Sequence, residues 1–288
     1  MKRFIVMLGL ALAVVACGTD TKKSATDEPI AIPKVARVIT GITADYRHET
    51  GTAVNNHMTF EYDELGRLVR VEASQQDMSS VTEISYLEDG IVEVRGLPFD
   101  AKRLSVNADG YCTAIADEAM KFTAYDYDEV GHLTSYSYQW IYQGKEQEHV
   151  SEESIIVWND KNLEKSIWML TWGKDSFNSK YVYEYNAGSN YATNLDLNWL
   201  VEAKMYGISF NANSGCPNML CAAGFMGERS ANHIISSCDE AKDFVSAKYD
   251  WKYNSEGYPT SCNVSCYDDS NVSKKPYFTC TYKFEYAE

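Results

Sequence analysis

Groups able to do chemistry are plentiful in this chain but poorly assembled. Beside Cys17 stand Cys112, Cys216, Cys221, Cys238, Cys262, Cys266 and Cys280. That set is odd, so at least one thiol has no partner within the molecule. Cys262 and Cys266 lie four apart in an extended segment and share a side, and Cys280 falls on the expected partner strand. A disulfide from either one to Cys280 is geometrically reasonable, and Cys216 with Cys221 could close the loop "CPNMLC". Buried free thiols are the competing reading. A zinc site would call for a tight Cys-x-x-Cys knuckle, which does not occur. The histidines, His48, His57, His132, His149 and His233, are scattered, without a His-x-x-x-His pair. No metal or other cofactor is expected. Neither a Gly-x-Ser-x-Gly elbow nor a phosphate or dinucleotide glycine loop is present. Carboxylates are abundant, but Asp63, Asp128 and Asp160 already have work in turns, so no catalytic residue is assigned.

Aromatic side chains are the remaining chemical resource, with 21 Tyr and 6 Trp. In "TSYSYQWIY", Tyr136, Tyr138, Trp140 and Tyr142 fall on one side of an extended chain. Such a face can stack on sugar rings or hold apolar ligands while its polar tips stay wet. Cross-strand packing explains the same pattern without a ligand. If a binding face exists on this sheet, these four residues are its first candidates.

The elements that must position them are read from a recurring turn. Tyr62-Asp63-Glu64-Leu65-Gly66-Arg67-Leu68 matches Tyr127-Asp128-Glu129-Val130-Gly131-His132-Leu133. Tyr253 to Pro259 and Val106 to Cys112 follow the same template, and Trp158 to Leu163 carries Asn162 where glycine stands elsewhere. Asp or Asn opens a type I turn by accepting from backbone amides. Gly or Asn then supplies positive φ so that the strands leave with the correct twist. If Tyr62 pairs with Arg67, Phe60 lies opposite Val69 and Met58 opposite Val71. Leu68 then shares the wetter face with Arg70.

Further strands are expected near 36–47, 81–87, 91–95, 153–158, 164–172, 180–186 and 244–253. Consecutive hairpins without helical crossovers mean an all-β antiparallel meander, closed into a barrel-like or strongly curved sheet. One short helix is expected near 196–203, where Leu195, Trp199 and Leu200 recur at helical spacing behind a capping Asp196. The irregular run "SFNANSGCPNMLCAAGFMGERSANHIISS" either covers one end of the sheet or carries function.

The N-terminus reads Met1-Lys2-Arg3, then "FIVMLGLALAVVA", then Cys17. A bilayer-spanning helix needs about 20 apolar residues, so this shorter run is a secretory signal. Val14-Val15-Ala16-Cys17 resembles a bacterial lipobox, which implies a signal peptide over 1–16 and lipid attachment at Cys17. Gly18, rather than aspartate, follows the cysteine, which points to the outer membrane, on its periplasmic side or at the cell surface. Residues 17–34 read as a polar, proline-punctuated tether, and 35–288 as one antiparallel β domain. The formal charge is −15, and removing the leader takes away Lys2 and Arg3 as well. Such a chain repels nucleic acid, which excludes DNA or RNA as a partner. Its contact with the membrane would run through acyl chains, not charge.

The turn motif resembles the YD repeats of large bacterial wrapping proteins and their toxin relatives. The lipobox, "FEYDELGRL", "YDYDEVGHL", "TNLDLNWL" and "YDWKYNSEGYPT" together resemble an uncharacterised Bacteroidetes-type lipoprotein family described as having a porin-like fold. That resemblance implies an architecture and an address, not a chemistry. The outward positions Arg70, Glu72, Asp126 and Lys252 argue against a sheet immersed in lipid. The expected function is that of a non-catalytic cell-envelope lipoprotein that binds a glycan, lipid or protein partner. The alternatives are a polysaccharide-acting hydrolase, which needs two facing carboxylates, and a purely structural envelope assembly factor.

Overall fold

The computed structural model describes residues 33–75, 78–96, 99–116, 120–141, 149–201, 221–240, 242–267 and 275–288. Strands dominate the described chain. In order these are β1 (Ile39–His48), β2 (Ala53–Tyr62), β3 (Leu68–Gln75), β4 (Met78–Tyr86), β5 (Ile91–Gly96), β6 (Phe99–Val106), β7 (Cys112–Ala116) and β8 (Met120–Tyr127). Then come β9 (Leu133–Ile141), β10 (His149–Trp158), β11 (Leu163–Trp172) and β12 (Asp175–Ser189). The short helix α1 (Leu197–Val201) precedes β13 (Asn232–Asp239), β14 (Phe244–Tyr253), β15 (Pro259–Cys266) and β16 (Phe278–Tyr286). All 16 strands belong to one sheet. Every ladder is antiparallel, and β1 pairs with β16, so the first and last strands are neighbours.

The sheet ends at β7 and β8, which lie side by side, giving a nearly closed barrel. Side chains and loop backbone stitch that seam at one end. The Tyr127 hydroxyl donates to the Cys112 carbonyl at 2.6 Å. The Cys112 amide donates to Phe225 O at 2.7 Å.

The motif turns behave as their residue types require, with two corrections. Gly66, Gly110, Gly131 and Gly257 have φ of 76°, 87°, 100° and 87°. Tyr62 pairs with Leu68, not Arg67, and Phe60 with Val71, not Val69, because the register shifts between Glu61 and Tyr62. The same shift occurs one step outside each of the other motif turns, at Val106, Tyr127, Trp158 and Tyr253. The extra residue turns Leu68 inward, where it is buried alongside Val71 and Phe60. Asn162 is the second correction, for it does not take positive φ. Its loop is one residue shorter, closing from Asn159 N to Asn162 O at 3.0 Å. The Asn162 side chain instead exchanges hydrogen bonds with Asn232, at 3.1 and 3.0 Å.

These motif turns, together with the β4–β5 connection and the entry of the chain at 33–38, all lie at one end of the barrel. The β12–β13 connection closes that end. Its described parts, 190–201 and 221–231, form a plug whose Leu195, Leu197, Trp199, Leu200, Phe225 and Met226 are buried. They meet Ile39, Ile42, Leu104, Leu133, Leu163 and Ile234 of the inner wall, all at 0% exposure. Burying one such side chain completely is worth about 1.5–3 kcal/mol. Asp196 caps α1, its Oδ1 accepting from the Asn198 amide at 3.0 Å. All five residues of α1 are buried, so the helix is held by its surroundings rather than by propensity. The last residues of the irregular run form β13, a strand the alternation pattern hides because adjacent His233 and Ile234 are both buried beside a bulge.

Beyond the plug, the inner wall is lined by hydroxyls and aromatic rings, while the outer wall is charged. Glu72, Asp126 and Lys252 are exposed. Arg70 sits among Glu61, Glu72 and Glu83 at 3.5, 3.6 and 3.5 Å. Among the described residues no helix is long and apolar enough to cross a membrane.

Candidate functional site

At the plugged end the β2–β3 turn builds a small recognition surface. Asp63 Oδ1 accepts from the amides of Leu65 and Arg67 at 3.0 and 2.9 Å. Arg67 Nε donates to Asp63 Oδ2 at 2.7 Å. This Arg67 bond, chief among the causes, holds the Asp63 carboxyl below its ordinary range. Fixed in this way, the Arg67 guanidinium lies 4.0 Å from the centre of the Tyr86 ring. Phe225 of the plug stacks on the same ring at 6.0 Å. Tyr86 and Tyr62 donate their hydroxyls to Leu68 O and Ile39 O, at 3.1 and 2.8 Å. Burial pushes both phenols up to about 12.

Between this turn, the β4–β5 and β6–β7 turns and the plug lies a cleft of about 480 Å³. Its walls are mixed: Leu68, Leu87, Ile91, Val92, Val106, Leu195 and Phe225 supply the apolar part, and Arg67, Asp109 and Asn194 are polar points. Gly90 admits the close approach on one side, since a Cβ there would stand 2.9 Å from Val106 O. Around the mouth the turn tips are exposed and apolar. Leu65 is 76% exposed and Leu87 is 47% exposed. This arrangement can hold an apolar or amphipathic group. Two carboxylates set for acid–base work are not among its lining residues.

The residues singled out from sequence are spread over other parts of the barrel. Tyr136 is buried on the inner wall, its hydroxyl donating to Glu152 at 3.2 Å and its ring 6.2 Å from Tyr125. It therefore packs the interior rather than an open strip. Tyr138 and Trp140 pair in register with Glu152 and Val150 along β9, while Tyr142 lies outside the described residues. Cys17 and Cys216 also lie outside them. Cys262 and Cys280 are free thiols. In the register of β15 with β16, Val264 faces Cys280, and Cys262 and Cys266 are displaced diagonally to either side. Diagonal positions stand roughly 7–8 Å apart, beyond the span of a disulfide without backbone movement.

The histidines serve local packing. His132 stacks on Trp158 at 4.3 Å and meets Asp128 at 3.0 Å, and His48 Nδ1 meets Thr50 at 2.9 Å. Among the described residues no three His, Cys, Asp or Glu side chains cluster as a metal site would require.

What the sequence did not reveal is the buried polar network under the plug. Asn190 donates to Asp196 Oδ1 at 2.7 Å and to Ser230 O at 3.0 Å. Arg229 Nη1 donates to Asn190 O and Thr193 O at 3.2 and 3.0 Å. Burial raises the Asp196 carboxyl above its ordinary range, against the lowering effects of Arg229, Asn190 and two backbone amides. His233 shares a 2.9 Å hydrogen bond with the Tyr253 hydroxyl and stacks on Trp251 at 4.2 Å. Burial lowers it to about 3. Only the capping role of Asp196 was legible, because the rest of the network ties Asn190 and Thr193 to Ser230 and Arg229, more than thirty residues away.

Comparison with known proteins supplies the fold and nothing finer. No protein-family model matches the chain, and no curated protein matches it. It is similar to the crystal structure of a porin-like protein from Bacteroides uniformis, with a TM-score of 0.55 at 14% identity over 86% of this chain and 98% of that one. A porin-like protein from Bacteroides vulgatus is similar at a TM-score of 0.57 and 14% identity, over 87% of this chain and 99% of the other. Identity this low speaks for shared architecture alone.

Proposed function

We propose that this protein is a non-catalytic cell-envelope lipoprotein of the outer membrane. In this reading Cys17 carries the acyl anchor, and the barrel stands outside the bilayer as a plugged binding module. The observation that carries it is the distribution of polarity across the wall. Charges such as Arg70, Glu72, Asp126 and Lys252 point outward, where hydrocarbon would penalise them, while the apolar core and plug fill the inside. A membrane-spanning pore has the reverse arrangement. The binding surface in this reading is the plugged-end cleft with its apolar rim, which takes an envelope component rather than a substrate for turnover. The turn carboxylates support the non-catalytic part, since Asp63 and Asp128 are occupied by backbone amides and by Arg67 and His132.

The test is to express Cys17→Ser in the native envelope and fractionate it. The expected result is a folded barrel released into the soluble fraction without detergent. A variant that stays in the membrane, or unfolds unless detergent is present, would overturn the reading.

A further inference from the structure

Among the described residues, most of the large hydrophobic side chains left exposed stand at one end of the barrel. Val35, Val38, Leu65, Leu87, Val130 and Tyr191 all stand at the plugged end, with Leu65, Val35 and Val130 at 76%, 71% and 67% exposure. Three belong to neighbouring parts of the same rim: Leu65 at the β2–β3 tip, Leu87 at the β4–β5 turn and Val130 at the β8–β9 tip. The cleft opens between the first two. Elsewhere among the described residues the exposed large hydrophobics are Ile155 and Val157 on the outer wall and Phe177 toward the opposite end. Exposed apolar tips gathered around a partly apolar recess mark a contact surface.

The chain also enters the barrel at this end. Tyr258 donates to Val35 O at 2.9 Å, and Arg37 pairs with Thr193 of the plug. Between Cys17 and the first described residue, Pro33, the chain can span no more than about 55 Å even when fully extended. An acyl group at Cys17 would therefore tether the barrel through its plugged end and hold that end at high effective concentration near the bilayer.

We propose that the plugged end is a lipid-docking face. Leu65, Leu87 and Val130 enter the interfacial region, and the cleft between the first two opens onto lipid. The proposal rests on the anchored-lipoprotein reading and names the envelope component that the cleft meets. The neighbouring carboxylates Glu64, Glu88, Asp89 and Glu129 define the surface further. An anionic leaflet would repel them within a Debye length, so the face suits zwitterionic headgroups. Apolar tips that penetrate an interface bind through buried area, which a single polar substitution largely removes.

The acylated full-length protein, reconstituted into phosphatidylcholine vesicles carrying brominated acyl chains, gives the direct readout. Leu65→Trp and Val130→Trp add an emitter at the rim, and Phe177→Trp adds one at the far end. The added emission should be quenched by roughly half or more at 65 and 130, and not at 177. Quenching at 177, or none at 65 and 130, overturns the proposal. The unanchored full chain, Cys17→Ser, should bind phosphatidylcholine vesicles roughly tenfold more weakly when Leu65→Ser and Leu87→Ser are added. It should bind less well again when phosphatidylglycerol replaces part of the phosphatidylcholine. Equal binding across these arms also counts against docking. All three rim positions are exposed, and a melting curve confirms that each variant is folded. The failures separate cleanly: an N-terminal peptide mass without acyl chains refutes the anchor, whereas an acylated protein with unquenched rim residues refutes docking alone.

Discussion

The plugged end and the middle of the inner wall bury polar groups in different ways. Under the plug, Asp196, Asn190 and Arg229 form a hydrogen-bonded set, and His233 is buried nearby against Tyr253 and Trp251, so ionisable groups lie away from water. On the wall the buried polar groups are mostly hydroxyls meeting in pairs, such as Ser166 with Tyr183 at 2.8 Å and Ser237 with Ser246 at 2.9 Å, with the Glu152 carboxylate accepting from Tyr136 at 3.2 Å. The wall is already specified by continuous ladders, so its side-chain bonds add little information. The plug has two 3₁₀ or α-helical turns and almost no ladder of its own. Its position must come from side chains, and a low-dielectric network that tolerates only one arrangement provides that.

The largest expected effect breaks this contrast at its centre. Asp196→Ala removes the acceptor for Asn190 Nδ2 and for the Asn198 amide, and takes a carboxyl from the neighbourhood of Arg229. A loss of about 3 kcal/mol is expected, typical of removing one partner from a buried polar network. Urea denaturation checks it. Should Asp196→Ala cost no more than a wall hydroxyl does, the plug is held by apolar packing alone.

The legibility of the sequence follows the same division. The hairpins could be read because one local device, an Asx residue followed by a left-handed glycine, fixes each of them within seven residues. The strands between them followed from alternation at period two. The register was misread by the bulge outside each turn, since no residue type requires it; burial of Leu68 decides the matter. Asn162 was misread because its side chain is claimed by Asn232, seventy positions away. The cleft was invisible for a related reason. Arg67, Tyr86 and Phe225 come from three separated segments, and each looks like an ordinary turn, strand or loop residue. Tyr136 looked like part of an open face because alternation shows which residues share a side, not which side is wet.

The next largest effect compares glycines within the plugged end. At Gly131, φ is 100° and an added Cβ would stand 2.7 Å from the Tyr111 ring. At Gly66, φ is 76° and nothing lies within 4 Å. Gly131→Ala is expected to cost about 2–3 kcal/mol, combining backbone strain with displacement of a packed ring, against about 1 kcal/mol for Gly66→Ala. Thermal melts of the two variants give the comparison. Equal shifts would mean that Tyr111 moves aside freely and that the rim is less tightly packed than the wall.

Acid should loosen the plug before it loosens the wall. His233 is neutral in the folded chain down to about pH 3, because burial lowers its pKa, whereas in the unfolded chain it takes up a proton near pH 6.5. Between those limits the unfolded state binds the extra proton, so stability falls as pH falls, by about 1.4 kcal/mol per unit at the steepest. Asp196 works in the opposite sense, because its raised pKa favours the folded chain as acid is added. The His233 contribution is therefore the difference between parent and His233→Gln across pH 6.5 to 3. Parallel stability curves for the two would remove His233 from the account.

The smallest effect tests the wall. Ser166→Ala deletes one member of a hydroxyl pair while the β11 ladders to β10 and β12 stay whole. A cost of about 0.5–1 kcal/mol is expected for the loss of one neutral hydrogen bond. Hydrogen exchange sharpens the reading further. In Ser166→Ala the amides of β10 to β12 should exchange at close to the parent rate. In Asp196→Ala those of α1 and of residues 221–231 should exchange much faster, while the wall is little changed. The two patterns together separate a barrel that holds its own shape from a plug that must be held in place. Were Ser166→Ala to loosen the plug as well, the barrel and its plug would be one cooperative unit, and the division drawn between them would fail.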